Sequence, residues 1–329
     1  MRALVLGGAG FIGLQLSRRL VADGHQVTIV DDFSRGRRDE AVERLRAHDA
    51  VTVMSGDLTR PETYAELPRG WDHIYLLAAV VGVRNVEKDP SRVIRVNTLS
   101  ALHLLDWAQK GDHIFFASTS EVYAAGVDAG IVEVPTAEDV PAMIADVTAP
   151  RFAYAISKLL GEAAFVHYAT ARGIRTVVAR FHNVYGPRMG QAHVVPEMAL
   201  RAMQGEDPFV VWGADQSRAF CYVDDAVEAI LRLMVTPEAV GEIVHIGNDT
   251  DETNIADLAK LVLRVAGISP EVRPAPAPAG SVERRCPDIS MLRRLTAFEP
   301  SVTLEEGVRR TFTWYERKYR QADGDSGVG

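Results

Sequence analysis

A phenol and an ammonium stand four residues apart in Tyr154-Ala155-Ile156-Ser157-Lys158, a spacing that puts both on one face of a helix. The chemistry open to such a pair is proton transfer. The same spacing arises by chance in many chains of this length, so it gains meaning only with a cofactor, an acid–base partner and a substrate pocket. Each of these has a candidate elsewhere in the sequence.

The cofactor candidate lies at the start. Residues 2–6 are a short apolar run ending in Gly7-Gly8-Ala9-Gly10-Phe11-Ile12-Gly13, and a helical pattern follows through Leu14, Leu16, Leu20 and Val21 to Gly24. Strand, glycine turn and helix in that order suit a pyrophosphate. Gly7, Gly10 and Gly13 permit the tight turn, the close backbone approach and the packing of helix on strand, while the helix start at Phe11 and Ile12 faces the phosphates. His25 to Val30 reads as a second strand closed by Asp31-Asp32. An acid roughly 20 residues after the glycines suits the ribose hydroxyls of NAD and repels the extra phosphate of NADP. Arg35, Arg37 and Arg38 nearby weaken that preference without reversing it. Residues 51–54 form a third strand that leads into Ser55-Gly56-Asp57-Leu58. Asp57 either reaches the adenine amino group or caps the turn at Arg60-Pro61-Glu62.

The composition narrows the class. With 329 residues, 47% hydrophobic and 24% charged, the chain can bury a core as one large domain or two modest ones. A net charge of −8 offers no basic face for nucleic acid or an anionic membrane surface. Cys221 and Cys286 carry neither a disulfide framework nor a metal-ligand spacing, and the histidines show no paired ligand spacing, so free thiols and no metal are expected. No run reaches the roughly 20 apolar residues of a membrane span, and Met1 leads straight into a strand; the expectation is a cytoplasmic protein.

The strand–helix alternation continues along the chain. His73 to Leu77 is a fourth strand running into Ala78-Ala79-Val80, small residues past which a flat ring or ribose can lie. Ser91 to Lys110 reads as one long helix, too broadly apolar for a surface helix and a candidate dimer face. Ile114 to Ala117 is a fifth strand that delivers Ser118-Thr119-Ser120-Glu121-Val122-Tyr123 at its carboxyl end, where open α/β sheets place ligands. Residues 124–150, broken by Gly126, Gly130, Pro135, Pro141 and Pro150, are expected to be irregular and to fold over the site. The Tyr154 helix stops at Arg172-Gly173, and Arg175 to Arg180 is a sixth strand. Beyond Asn183 short strands at 209–212 and 219–222 sit among helices at 194–204, 224–234 and 255–266. Pro274 to Gly280 is a stiff loop, a helix over 303–320 closes the fold, and residues 321–329 are expected to fray as a disordered tail. The fold class is α/β, a doubly wound parallel sheet followed by a smaller α/β region on its C-terminal side.

Taken in order, Gly7-x-x-Gly10-x-x-Gly13, Asp31-Asp32, Gly56-Asp57-Leu58, Leu77-Ala78-Ala79, Asn97, Ser118-Thr119-Ser120-Glu121-Val122-Tyr123, Tyr154-x-x-x-Lys158, Arg180-x-x-Asn183-Val184-Tyr185-Gly186-Pro187-Arg188 and Arg218-x-Phe220-x-Tyr222-Val223-Asp224-Asp225 resemble the extended short-chain dehydrogenase/reductase family. Within it the likeness is to the nucleotide-sugar epimerases, dehydratases and decarboxylases, and it runs from Leu4 to about Arg310. The resemblance implies a Rossmann domain over 1–182 that binds NAD, a mainly nucleotide-sugar-binding region over 183–320, and a homodimer joined through helices near 91–110 and 152–172. It also implies that Leu58, Leu77, Ala78 and Ala79 line the cofactor together with the glycine turn and the acids.

The resemblance further implies a catalytic triad of Thr119, Tyr154 and Lys158. An unperturbed tyrosine, with a pKa of about 10, is a poor base at neutral pH, but an adjacent ammonium and a positive nicotinamide ring favour the phenolate. Tyr154 would take the proton from a sugar C4 hydroxyl, Thr119 would share the hydrogen bond, and Lys158 would also hold the nicotinamide ribose. The activities part company once C4 is oxidised. An epimerase returns the hydride to the other face, a 4,6-dehydratase removes water, and a uronate decarboxylase loses carbon dioxide.

Glu121 belongs to a Thr-Ser-Glu triplet found in decarboxylases and in one dehydratase group. Ser120 stands where thymidine-diphosphate-sugar dehydratases carry Asp, and Ala155-Ile156-Ser157 replaces the Asp-Glu-Gly typical of decarboxylases, whereas Arg285 matches an arginine that decarboxylases use. On these residues the leading expectation is 4-epimerisation of a UDP-hexose, with UDP-glucuronate and UDP-galacturonate as a candidate pair; decarboxylation is the alternative. Asn183, Arg218 and Arg285 match positions near the substrate diphosphate, and the Phe209 to Trp212 strand matches one that lies against uracil. Arg188, with the Thr119 and Ser120 hydroxyls, is expected to meet a sugar carboxylate. His182 has no assigned role; alternation along its strand turns either it or Asn183 from the pocket, and a satisfied buried histidine is expected. A non-catalytic NAD sensor for a protein partner is the reading from another class, and the intact triad opposes it.

Overall fold

The computed structural model describes residues 1–34, 38–277 and 281–326; Arg35, Arg37, the end of the proline-rich loop and residues 327–329 lie outside that set. Its centre is a parallel sheet built from β1 (Arg2–Leu6), β2 (Gln26–Asp31), β3 (Val51–Ser55), β4 (His73–Leu76), β5 (His113–Thr119) and β6 (Arg175–Phe181). Smaller strands follow: β7 (Val184–Tyr185), β8 (Phe209–Trp212), β9 (Ser217–Ala219), β10 (Cys221–Tyr222), β11 (Ile243–Ile246), β12 (Glu252–Asn254), β13 (Val272–Ala275) and β14 (Arg284–Arg285). The main sheet has the order β11-β6-β5-β4-β1-β2-β3. Strands buried on both faces read as continuous apolar runs, and Ala3 to Leu6 and all of β5 are buried.

The chain winds outward from β1 to β3 and then restarts at β4 on the other side of β1, so the strand order reverses between β1 and β4. A crevice opens outside the strand ends at such a switch point. The glycine turn after β1 lies there.

Helices cover both faces: α1 (Phe11–Ala22), α2 (Glu40–Arg46), α3 (Pro61–Ala65), α4 (Val83–Lys88), α5 (Pro90–Trp107), α6 (Ala124–Asp128), α7 (Phe152–Arg172), α8 (Val194–Met203), α9 (Val223–Val235), α10 (Ile255–Ala266), α11 (Ser290–Thr296) and α12 (Leu304–Ser326). The start of α5 is set locally. Asp89 accepts from Arg92 N at 2.9 Å as its N-cap, and Pro90 occupies the first turn, where its missing N–H costs nothing. Gly173, at φ 66°, ends α7 in the left-handed conformation.

Three features depart from the sequence expectation. Ala124–Asp128 is a helical turn within the stretch expected to be irregular, and α12 continues to Ser326, past its expected end at 320. The third is larger. β11 returns from the second region to pair with β6 through Ile243↔Val178 to Ile246↔Phe181, so the boundary at 182/183 is not a clean cut. One hydrophobic cluster joins Val5 and Phe115 of the sheet to Phe209, Ile230 and Leu258 of the later chain. Among the described residues no helix is long and apolar enough to cross a membrane.

Candidate active site

The glycine turn is shaped by close approach. Gly7 has φ +89°, and a Cβ there would lie 2.5 Å from Ala78 N; a Cβ on Gly13 would lie 2.2 Å from Gly7 O. Only glycine fits both positions. Gly10 is the N-cap of α1 and has no side chain to cap it, which leaves the first-turn amides open to an anion. Asp31 braces the turn, its carboxylate accepting from Ala9 N at 3.0 Å and Phe33 N at 2.9 Å, while burial pushes its pKa up against those bonds.

Asp32 is exposed and lines a hollow with Ser55, Gly56 and Asp57. Asp57 Oδ1 accepts from Thr59 N and Oγ1 at 2.9 and 2.7 Å; it steadies the turn before α3 and still borders the hollow. Leu58 is buried, and Leu77 and Ala78 both donate from their backbone N to Leu6 O at 2.9 Å, with Ala79 following at the crevice. An uncapped helix start, a turn that admits no Cβ and an exposed acid beside a hollow fit the pyrophosphate and adenosine of NAD.

The Tyr154–Lys158 pair comes from α7. Lys158 is 3% exposed, which excludes a solvated helix charge. Its Nζ donates to Ala117 O at 2.7 Å and sits 4.9 Å from the Phe116 ring centre and 6.0 Å from that of Tyr154. Burial lowers its pKa to about 8, with the Glu162 carboxylate opposing the fall. Asn97 of α5 fixes the helix: its Oδ1 accepts from Val80 N at 2.7 Å, its Nδ2 donates to Ser157 Oγ at 3.0 Å, and Ser157 Oγ donates to Tyr154 O at 2.7 Å. Thr119 ends β5 and its Oγ1 accepts from Glu121 N at 3.3 Å, so it caps the short turn Ser120–Val122 that packs against α7.

The arginines divide. Arg285 Nη1 meets Glu121 Oε1 at 2.7 Å, and Arg285 is the register partner of Arg218 across β14 and β9. Burial first, then the charge of Arg285, lowers the Arg218 pKa to about 10. Two guanidiniums side by side suit a diphosphate. Asn183 Nδ2 is committed to Ala219 O at 2.9 Å. Trp212 is 46% exposed, and the Arg201 guanidinium stands 4.7 Å from its ring centre.

Arg188, expected from its motif to meet a sugar carboxylate, holds protein partners at the glycine turn. Its Nε donates to Asp39 Oδ2 at 2.8 Å and its Nη1 to the carbonyls of Ala9 and Gly10 at 2.5 and 3.1 Å. It ties the glycine turn to Asp39. Its backbone, at φ 70° after Pro187, reverses the chain there. Ser120, expected beside the same carboxylate, is 2% exposed in its turn. His182 is fully buried, with Nε2 2.7 Å from Tyr123 Oη and Nδ1 without a partner in the structure. Burial holds it neutral, with a pKa well below the usual value; it is a buried histidine satisfied on one nitrogen. Glu162, absent from the sequence reading, is found here one turn beyond Lys158, and the acid at that spacing was its only signal.

A glycine turn at the switch point of a parallel sheet, with a tyrosine and a buried lysine of α7 set against β5, defines a dinucleotide-dependent enzyme of the extended short-chain dehydrogenase/reductase class. The chain belongs to the NAD dependent epimerase/dehydratase family, which it matches over residues 3–247, and NAD is its cofactor. It is 34% identical over 324 residues to the UDP-N-acetyl-alpha-D-glucosaminuronate decarboxylase of Bacillus cytotoxicus, covering 95% of this chain and 97% of that one. It is 31% identical over 353 residues to a probable UDP-glucuronate 4-epimerase of Rhizobium meliloti, covering 98% and 99%. The structure of UDP-glucose 4-epimerase from Thermotoga maritima with UDP-glucose matches with a TM-score of 0.83 at 29% identity, covering 97% of this chain and all of that one. The chain is therefore a nucleotide-sugar enzyme of the epimerase/decarboxylase kind.

Proposed function

We propose that this enzyme oxidises a UDP-hexuronic acid at C4 and then releases the carboxyl group as carbon dioxide, giving a UDP-pentose. The observation that carries this reading is the Glu121–Arg285 pair at 2.7 Å. A 4-keto uronic acid is a β-keto acid, and it retains its carboxylate only where the site binds the carboxylate more tightly than the transition state for its loss. Arg188, the expected clamp, is engaged with Asp39 and the glycine turn, and the charge of Arg285 is balanced by Glu121. A carboxylate seated beside a balanced pair gains little from staying ionic, which favours departure of neutral carbon dioxide. The similarity to a uronate decarboxylase supports the same outcome.

Tyr154, beside the Lys158 ammonium, accepts the C4 hydroxyl proton, and Thr119 shares the hydrogen bond. Bound NAD supplies the hydride acceptor for C4 and the hydride that reduces it again. When the C5–C6 bond breaks, its electron pair passes to the C4 carbonyl oxygen, where the hydroxyls of Tyr154 and Thr119 stabilise the enolate. One proton from solvent then adds at C5, replacing the lost carboxyl group, and Tyr154 returns its proton to the C4 oxygen as the hydride returns to C4. Arg218 holds the diphosphate side, and the exposed face of Trp212 takes the flat base. We further propose that two copies associate through α5 and α7, where Ile94, Leu160 and Tyr168 are 43%, 47% and 45% exposed.

The second reading is 4-epimerisation, the expectation drawn from the sequence. It keeps one specific support: the Asp-Glu-Gly of decarboxylases is absent, and Ser157 instead bonds Asn97 and Tyr154 O. Incubation with UDP-glucuronate and with UDP-glucose, without reductant, separates the two by the NMR signal of the anomeric proton. A UDP-pentose with released carbon dioxide is expected from UDP-glucuronate. An axial C4 hydroxyl with the carboxylate retained establishes epimerisation instead, and no change in either sugar overturns both readings.

A further inference from the structure

Behind the reacting pair lies a buried ion pair to which C4 oxidation and decarboxylation give no task. Glu162 follows Lys158 by one turn of α7. Its Oε1 accepts from Ser118 Oγ at 2.5 Å and Arg180 Nε at 2.9 Å, and its Oε2 accepts from Arg180 Nη2 at 2.8 Å. The side chains of Glu162 and Arg180 are 4% and 7% exposed. Arg180, from β6, also donates to Glu138 O at 2.9 Å. Toward Lys158, β5 presents the neutral Ala117 carbonyl and the Phe116 ring, the Tyr154 ring centre lies 6.0 Å away, and the Glu162 carboxylate is the charge that acts on it.

We propose that Glu162 is a positioning residue that decides which member of the Tyr154–Lys158 pair gives up its proton first. Loss of one proton from the pair yields either phenolate beside ammonium, the form that accepts the C4 proton, or phenol beside neutral amine, which does not. The ratio of these two forms is independent of pH and is set by the field at each group. Burial by itself favours the neutral amine. Glu162 opposes that preference, since it is the charge that acts to raise the Lys158 pKa. Arg180 pairs with both Glu162 oxygens, and Ser118 ties it to β5 next to Thr119. The inference rests on Tyr154 being the base for C4 oxidation, which decarboxylation and epimerisation share.

The test needs no substrate. The ultraviolet phenolate absorbance of Tyr154 is taken as the difference between each protein and its Tyr154→Phe counterpart, followed across pH. Glu162→Gln is expected to lose about tenfold of the phenolate at neutral pH, the equivalent of one pKa unit, while Glu162→Asp keeps it; turnover falls in proportion with KM unchanged. If Glu162→Gln does not fold by circular dichroism, the double variant Glu162→Gln/Arg180→Met is expected to show a loss in the same direction but smaller, since the opposing Arg180 charge is removed with it. An unchanged phenolate titration in a folded charge-removing variant, or equal losses in the Asp and Gln variants, overturns the proposal. A wild-type protein that titrates as expected but converts no UDP-sugar refutes the proposed reaction and leaves the role of Glu162 standing.

Discussion

Arg188→Ala distinguishes a clamp on the cofactor turn from a contact to substrate. The wild-type side chain is 10% exposed and makes one charged bond to Asp39, whose side chain is 27% exposed, and two to the carbonyls of Ala9 and Gly10. Hydrogen bonds to charged groups contribute about 1.5–3 kcal/mol each. Water can reach Asp39 and replace part of the loss, so a net destabilisation of about 2–4 kcal/mol is expected. The glycine turn loses its brace at the same time, and NAD should bind about tenfold more weakly or worse, a cost of at least about 1.4 kcal/mol.

The effect should fade in acid. Burial pushes the Asp39 carboxyl up, but the Arg188 hydrogen bond and charge prevail and hold its pKa below the ordinary carboxylate value. A group depressed in the folded state contributes stability above its unfolded pKa and loses it as pH falls through the folded one. Urea unfolding at neutral and acid pH, together with NAD titration by tryptophan fluorescence, measures both terms. A variant with normal stability and NAD affinity but no preference for UDP-glucuronate over UDP-glucose would falsify the clamp and return Arg188 to the sugar carboxylate.

Two further outcomes are expected. Gly161→Ala places a Cβ 2.4 Å from Phe116 Cζ, and Phe116 is already stacked on Phe165 at 4.5 Å; overpacking of this kind costs about 1–3 kcal/mol. Thermal unfolding reads it, and a variant as stable as wild type would show that α7 can move away from β5. Leu160→Glu puts a charge on the exposed apolar face of α7 and should convert a dimer to monomer by light scattering, while a wild-type protein that is already monomeric at high concentration sinks the association proposal.

The parts of this enzyme that are legible in the sequence are those whose causes are local. Gly7, Gly10 and Gly13 announce the turn because each lies where a side chain would strike neighbouring backbone within the same strand–turn–helix unit or the strand beside it. Tyr154 and Lys158 share a face because a helix has a fixed period. β11 is not legible, since Ile243-Val244-His245-Ile246 is too short and too ordinary to reveal that it completes a sheet begun far upstream. Short strands take their identity from their partner, β6 in this instance, and that information is not within the strand.

Arginine partners pose the same difficulty with larger consequences for chemistry. Arg188, Arg218 and Arg285 all stand at positions that suit an anionic substrate, and sequence position offers no reason to separate them. Folding does separate them, because a guanidinium goes to whichever carboxylate or carbonyl the long-range packing brings within reach. Arg188 meets Asp39 across 149 positions of chain and Arg285 meets Glu121 across 164. These distant pairings give Arg188 and Arg285 each a carboxylate partner, while Arg218 bonds backbone carbonyls and the Gln216 amide. On the proposed reading, the fate of a 4-keto uronic acid depends on where the acids Asp39 and Glu121 fall in the fold as well as on the groups that oxidise C4. On that reading, Glu121→Gln should free Arg285 to hold the sugar carboxylate, and UDP-glucuronate followed by NMR should then release less carbon dioxide than with the wild type.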